Sequence, residues 1–260
     1  MPPTLVLCEL SKSTLAGIET YSPFCLKVHR ALRHARLSYT SRHENNPAAY
    51  GALNPRKQVP VLLVDGSPVF DSSEILRAIE QLAPASMIPF ADARLNAEAW
   101  LWEEYADRCL NGFLVAARWI DERNWTSVRD VYFEGAPWVV KHVVAPQLRR
   151  GVRDRLKARD VLLGSEAECW ALFERTLDDL DARAPASGFW MGDRLSAADV
   201  SLFAQLRSLM TPLTAWQSTR IEARPRLAAY VARVDRATSG EVAGTVGGHP
   251  GGEGTVVVAA

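Results

Sequence analysis

Apolar and polar positions follow two different rhythms in the two parts of the chain. Up to about residue 84, short apolar runs alternate with helical stripes. Thr4 to Leu10 is a short apolar run, the pattern of a buried strand. From Pro23 to Ala35 apolar residues recur at Phe24, Val28, Ala31, Leu32 and Ala35, a helical stripe with Ser22 as N-cap and Pro23 at the first position. Leu37 to Arg42 reads as a second strand. Val61 to Val64 and Val69-Phe70, joined through Asp65-Gly66, read as a hairpin. Ser73 to Leu82 reads as a helix facing inward with Ile75, Leu76, Ile79 and Leu82.

Past Pro84 and Pro89 the periods are helical throughout, and all eight tryptophans lie in that part. Asp92 can cap a long helix running to about Asp121. Glu166 to Ala184, Leu195 to about Met210, and Arg226 to Ala237 supply further helices. The pattern predicts a mixed α/β domain over residues 1–83, a linker over 84–91 and an all-helical domain over 92–237. The stretch from 238 to 260 is glycine-rich and reads as disordered.

Composition narrows the function classes. Thirty basic residues balance thirty acidic ones in 260, which argues against a general nucleic-acid binder. No apolar run reaches the length needed to cross a bilayer, and the first residues lack the basic and apolar regions of a secretory leader. Cys8, Cys25, Cys109 and Cys169 are widely spaced and form no Cys-x-x-Cys pair. With no metal-ligand spacing among the histidines, the chain reads as cytoplasmic and metal-free. Arg149, Arg150, Arg153, Arg155, Lys157 and Arg159 form a basic run, either a solvated helix or a surface for an anionic partner or membrane.

Three local constellations carry candidate chemistry. Ser22 precedes a helix whose free N–H groups and dipole favour a thiolate, and its hydroxyl can donate to one; it is equally a good N-cap. Lys57-Gln58-Val59-Pro60 leads into a strand. A cis Val59–Pro60 bond would turn the Val59 backbone toward an extended peptide, whereas a trans bond would make it an ordinary loop. Asp71-Ser72-Ser73 opens the next helix. Asp71 can take an α-ammonium and Ser72 an α-carboxylate, or the group is simply a cap.

Together with Gly192-Asp193-Arg194-Leu195-Ser196-Ala197-Ala198-Asp199-Val200, these motifs make the chain resemble the glutathione transferase superfamily over roughly residues 4–237. The resemblance implies a thioredoxin-like N-terminal domain and an all-helical glutathione-transferase-type C-terminal domain. It implies glutathione as co-substrate, held by Lys57, Gln58, Val59, Pro60, Asp71 and Ser72, with Lys57 and Gln58 both candidates for the glycyl carboxylate. It gives Ser22 the catalytic role, with Tyr21 and Cys25 as alternatives, the latter for a thiol reductase. Ser196 and Asp199 would form a structural capping box. The partner would be a small, apolar electrophile, in a pocket around Trp100, Trp102, Tyr105 and Arg108 unless those aromatics are core. A homodimer is a further implication. The loop Ser11–Tyr21 is longer than in most cytosolic classes and similar to that of the branch related to metaxins and the failed axon connections proteins. That branch allows a non-catalytic interaction module, and the loop itself could lie over the site as a lid.

Overall fold

The computed structural model describes residues 2–15, 17–44, 46–84, 92–159, 161–162 and 164–240. The expected linker and glycine-rich tail therefore lie almost wholly outside the described residues.

The N-terminal part runs β1 (Leu5–Leu10), α1 (Pro23–His34), β2 (Thr40–Glu44), β3 (Val61–Val64), β4 (Ser67–Phe70) and α2 (Ser72–Leu82). The four strands form one sheet in the order β2-β1-β3-β4. β1 pairs parallel with β2 and antiparallel with β3, and β3 pairs antiparallel with β4. Period-2 alternation splits the sheet's side chains. Leu5, Leu7 and Leu62 join the helices Leu26, Leu32, Ile75 and Ile79 in the main core. Cys8 and Val61 turn the other way, onto Tyr50. The β3–β4 turn places Asp65 at φ 49° and Gly66 at φ 84°, the paired positive angles that a tight two-residue hairpin requires. β2 starts later than the apolar pattern suggested, because Leu37 packs as part of the loop entering the sheet.

The C-terminal part is all helix: α3 (Ala93–Tyr105), α4 (Asn111–Trp119), α5 (Glu122–Tyr132), α6 (Ala145–Ala158), α7 (Glu166–Arg183), α8 (Ala197–Leu209), α9 (Ala215–Glu222) and α10 (Pro225–Thr238). The long helix expected from Asp92 is present, capped by Asp92 on the Arg94 N–H at 2.8 Å. It is interrupted by one wider helical turn, Ala106–Leu110, which joins α3 to α4. Asp121 does not end that helix but caps α5, accepting from the Arg123 N–H at 3.0 Å.

α8 is the axle of this half, with only Arg207 of its residues not buried. Its start is fixed by the Ser196–Asp199 pair. Asp199 Oδ2 accepts from the Ser196 N–H at 2.9 Å and hydroxyl at 2.7 Å. Oδ1 accepts from the Trp190 N–H at 2.7 Å and the Tyr230 hydroxyl at 2.8 Å. One carboxylate thus joins α8, α10 and the loop before α8.

The two parts meet along α1 and α8. Lys27, fully buried, places its Nζ 2.7 Å from Glu103 Oε1 and 2.6 Å from Asp107 Oδ2. Burial alone would push the Lys27 ammonium down, but the two carboxylates outweigh it and hold it up. Arg30 reaches Asp235 at 2.6 Å, and Ser73 Oγ donates to Glu103 Oε1 at 2.6 Å.

On α2, Glu80 has a carboxylate oxygen buried without a hydrogen-bond partner. Burial pushes its carboxyl up to about 7, against the opposing pull of Arg77. The folded chain therefore holds this proton more tightly than the unfolded one. The stability this group contributes is complete below its unfolded value and is lost as pH rises through about 7. Glu80→Gln is expected to match the parent protein near pH 5 and to exceed it by about 1 kcal/mol at pH 8, after discounting for solvent screening. Denaturant titrations at the two pH values check this; an equal difference at both would remove Glu80 as the cause.

Candidate active site

The junction of the two parts holds a cavity of about 420 Å³, and the residues singled out in the sequence converge on it. Ser22, Val59, Pro60, Asp71 and Ser72 line one side. Asp107, Arg108, Asn111, Leu114, Val115 and Trp119 line the other.

Ser22 is the N-cap of α1. Its Oγ accepts from the Cys25 N–H at a long 3.4 Å, so the capping bond is weak. Its hydroxyl also bonds the Cys25 side chain, so a ligand in the cavity would compete with that thiol for its proton. Tyr21 also lines the cavity, but its hydroxyl is taken up by Thr14: the Thr14 N–H donates to it at 3.0 Å and Thr14 Oγ1 lies 2.6 Å away. Cys25 lies on the inward side of α1, fully buried, outside the cavity lining. Burial, with the Glu9 charge, pushes its thiol well above the usual range. Both features count against Cys25 as the alternative nucleophile.

The Val59–Pro60 bond is cis. The loop before it is shaped by buried Asn54, whose amide donates to the Gln58 carbonyl at 2.9 Å and whose oxygen accepts from the Arg56 N–H at 3.0 Å. Within this loop the structure separates Lys57 from Gln58. Gln58 lines the cavity; Lys57, at φ 54°, is exposed and does not.

Asp71 caps α2 through the Ser73 N–H at 3.0 Å and sits at φ 76°, a conformation costly for a residue with a side chain. Its other oxygen lies 3.5 Å from Arg56. Both serines line the cavity, but Ser73 has its hydroxyl committed to Glu103, whereas Ser72 makes no such bond among the described residues. Asp71 and Ser72 are therefore both a cap and an open polar pair.

On the helical side the core alternative holds for the three aromatics. Of Trp100, Trp102, Tyr105 and Arg108, only Arg108 lines the cavity. Trp102 packs edge-on to Tyr105 and Trp190, and Trp100 lies 3.7 Å under the Arg77 guanidinium. The aromatic walls are Tyr21 and Phe24 on the N-terminal side and Trp119 and Tyr132 on the helical side. The wider turn Ala106–Leu110 follows these residues and joins α3 to α4, which carries Trp119. It also brings Asp107 to the cavity edge, where burial and the neighbouring Glu103 charge hold its carboxyl above the usual range despite Lys27.

Arg118 and Tyr132 were not anticipated. Arg118 is buried, donating to the Tyr21 carbonyl at 2.5 Å and the Ser208 carbonyl at 2.9 Å. The Tyr132 hydroxyl is buried without a hydrogen-bond partner.

The expected lid is absent among the described residues of the Ser11–Tyr21 loop before Tyr21, none of which lines the cavity. The loop folds back through a Lys12–Thr20 bridge. Glu19 pairs with Arg30 and Arg33, and Arg207 donates to the Gly17 carbonyl at 2.8 Å. It braces the two parts instead.

Residues 21–82 match the model of the glutathione S-transferase N-terminal domain, and residues 144–233 that of the glutathione S-transferase C-terminal domain. The chain belongs to the glutathione transferase superfamily. The transferase is 24% identical over 230 residues to the isoprene-epoxide–glutathione S-transferase of Rhodococcus sp. (strain AD45), covering 84% of this chain and 93% of the relative. Two solved structures share its fold. A β-etherase from Sphingobium sp. strain SYK-6 aligns with TM-score 0.58 and 21% identity, over 91% of this transferase and 97% of that chain. A rice transferase in complex with glutathione aligns with TM-score 0.56 and 22% identity, over 91% and 88%.

Proposed function

We propose that this enzyme binds reduced glutathione along the Val59 edge, stabilises its thiolate at Ser22, and directs it at a small electrophile held by the helical side. The supporting observation is the convergence of Ser22, Val59, Asp71 and Ser72 on one cavity with α4. An extended peptide pairs with the backbone of Val59. Asp71 takes the γ-glutamyl ammonium and Ser72 its carboxylate. Gln58 is better placed than Lys57 for the glycyl end, and Arg56 adds a cation beside the Asp71 pair.

The thiol proton leaves to solvent, and the Ser22 hydroxyl donates to the resulting sulfur anion. The sulfur lone pair then attacks carbon while the bond to the leaving oxygen breaks. Leu114, Val115 and Trp119 supply apolar walls; Asn111 and Arg108 supply donors. That mixture suits a compact electrophile with one polar oxygen better than a purely apolar one. A small epoxide, the class named for the Rhodococcus relative, fits this description. The same reading carries a homodimer and a cytoplasmic location as family expectations. The exposure of Leu101 on α3, at 71%, is consistent with a covered face there.

Calorimetric titration with reduced glutathione tests the binding half. Saturable binding is expected, weakened about 10-fold in Asp71→Ala through loss of one charge-assisted contact. A folded protein that takes up no glutathione at millimolar concentration would favour the non-catalytic interaction module instead.

A further inference from the structure

The stretch before α6 has no role in the cavity. Pro137 opens a helical segment whose wider first part, Val140–Val144, continues into α6. α6 runs antiparallel to α4: Arg149 donates to the Trp119 and Ile120 carbonyls at 2.6 and 2.7 Å, and Arg159 to the Arg108 carbonyl at 3.4 Å. Residues before Ala145 therefore project past the end of α4. Ala145 is the first of them to be buried. Trp138 is 69% exposed and Val139 57%, and Val143, Val144 and Leu148 are exposed as well. Trp138 is held in place by stacking on His142, with centroids 4.8 Å apart. Apolar side chains clustered on a protruding end mark a contact surface.

Charge decides between occupants. From Gly135 to Arg153 the chain carries Lys141, Arg149, Arg150 and Arg153 and no acidic residue. Arg149 pairs with Glu122 and Arg153 with Glu166, while Lys141 and Arg150 enter no ion pair among the described residues. Exposed Arg155 and Lys157 follow one turn on, offset in part by exposed Asp154 beside them and Glu134 just before the stretch. Two copies meeting through this end would bring like charges together. A tryptophan and valines flanked by free cations instead match the boundary of an anionic bilayer, where apolar groups enter the acyl edge and cations meet headgroups. We propose that the Trp138–Arg150 end docks reversibly on anionic lipid surfaces. No described helix is long and apolar enough to cross a membrane, so this is surface contact alone.

The test is flotation of the full chain with phosphatidylcholine vesicles, with and without phosphatidylglycerol, at low and high salt. Binding to the anionic vesicles is expected, weakened by salt. Lys141→Glu with Arg150→Glu should weaken it at least about 25-fold, at roughly one factor of five per cation. Val139→Ser with Val143→Ser should weaken it too, and a blue shift in tryptophan emission should vanish in Trp138→Ala. All five positions lie off the cavity, so thermal midpoint and glutathione conjugation serve as unchanged controls. Equal behaviour on neutral and anionic vesicles would overturn the proposal. So would undiminished binding by both double variants, or a concentration-dependent dimer that only the valine variant abolishes.

Discussion

Asp199→Ala is expected to cost about 4 kcal/mol of folding stability, the largest single effect accessible in this chain. Its carboxylate accepts four hydrogen bonds in a fully buried position, from Ser196 (two), Trp190 and Tyr230. Alanine leaves four donors without partners, each carrying a desolvation penalty of about 1 kcal/mol or more. For a chain of this size that corresponds to a fall in Tm of roughly 10 °C. Asp199→Asn retains one acceptor oxygen and should lose about half as much. Thermal and urea unfolding of the three proteins measure the series. A loss below 1 kcal/mol for alanine would mean that water reaches the site and replaces the carboxylate.

Ser22→Ala should lower kcat/KM at pH 7 by about 30- to 100-fold while changing stability by less than about 1 kcal/mol. The asymmetry follows from two bonds of one hydroxyl. As a cap it accepts at 3.4 Å, too long to matter greatly. As a donor, in the proposed mechanism, it would hold the thiolate of bound glutathione about two pKa units below an ordinary thiol near ~8.5. Without it the thiolate at neutral pH drops to a few per cent. The deficit should therefore shrink as pH rises above the unassisted thiol pKa, because both enzymes are then fully ionised. A deficit that stays constant with pH would point to misplacement of the peptide. An unchanged kcat/KM would take Ser22 out of the mechanism and return attention to Tyr21.

The parts of this molecule that were legible in its sequence are those fixed by neighbours within a few residues. Ser22, Asp92, and Ser196 with Asp199 each satisfy backbone groups two or three positions away, and Asp65 with Gly66 needs only the positive φ angles of its own turn. Their geometry is thus written locally. The cavity's near side inherits that clarity, since Ser22 and Asp71 are both caps. The far side does not. Apolar residues on α3 and α4 follow the same period whether they face core, cavity or solvent. Trp102 and Tyr105, readable as either wall or core, pack against the core, and the helical side's aromatic wall comes from Trp119 and Tyr132. Arg56 and Arg118 escaped notice for a different reason. Surface arginines are common, and only the partners' positions, 15 and 97 residues away for Asp71 and Tyr21, give these two their place.

The bond from Arg118 to the Tyr21 carbonyl has a consequence for engineering. It fixes the residue immediately before Ser22 from the helical domain, with Ser208 of α8 held by the same guanidinium. The reach of the serine hydroxyl is therefore a property of the junction rather than of the N-terminal domain. Chimeras that trade helical domains to acquire new electrophiles would exchange this clamp as well. They would inherit a substrate pocket but misplace the nucleophile's donor unless arginine is kept at position 118. Modular recombination in this fold is constrained by one buried side chain.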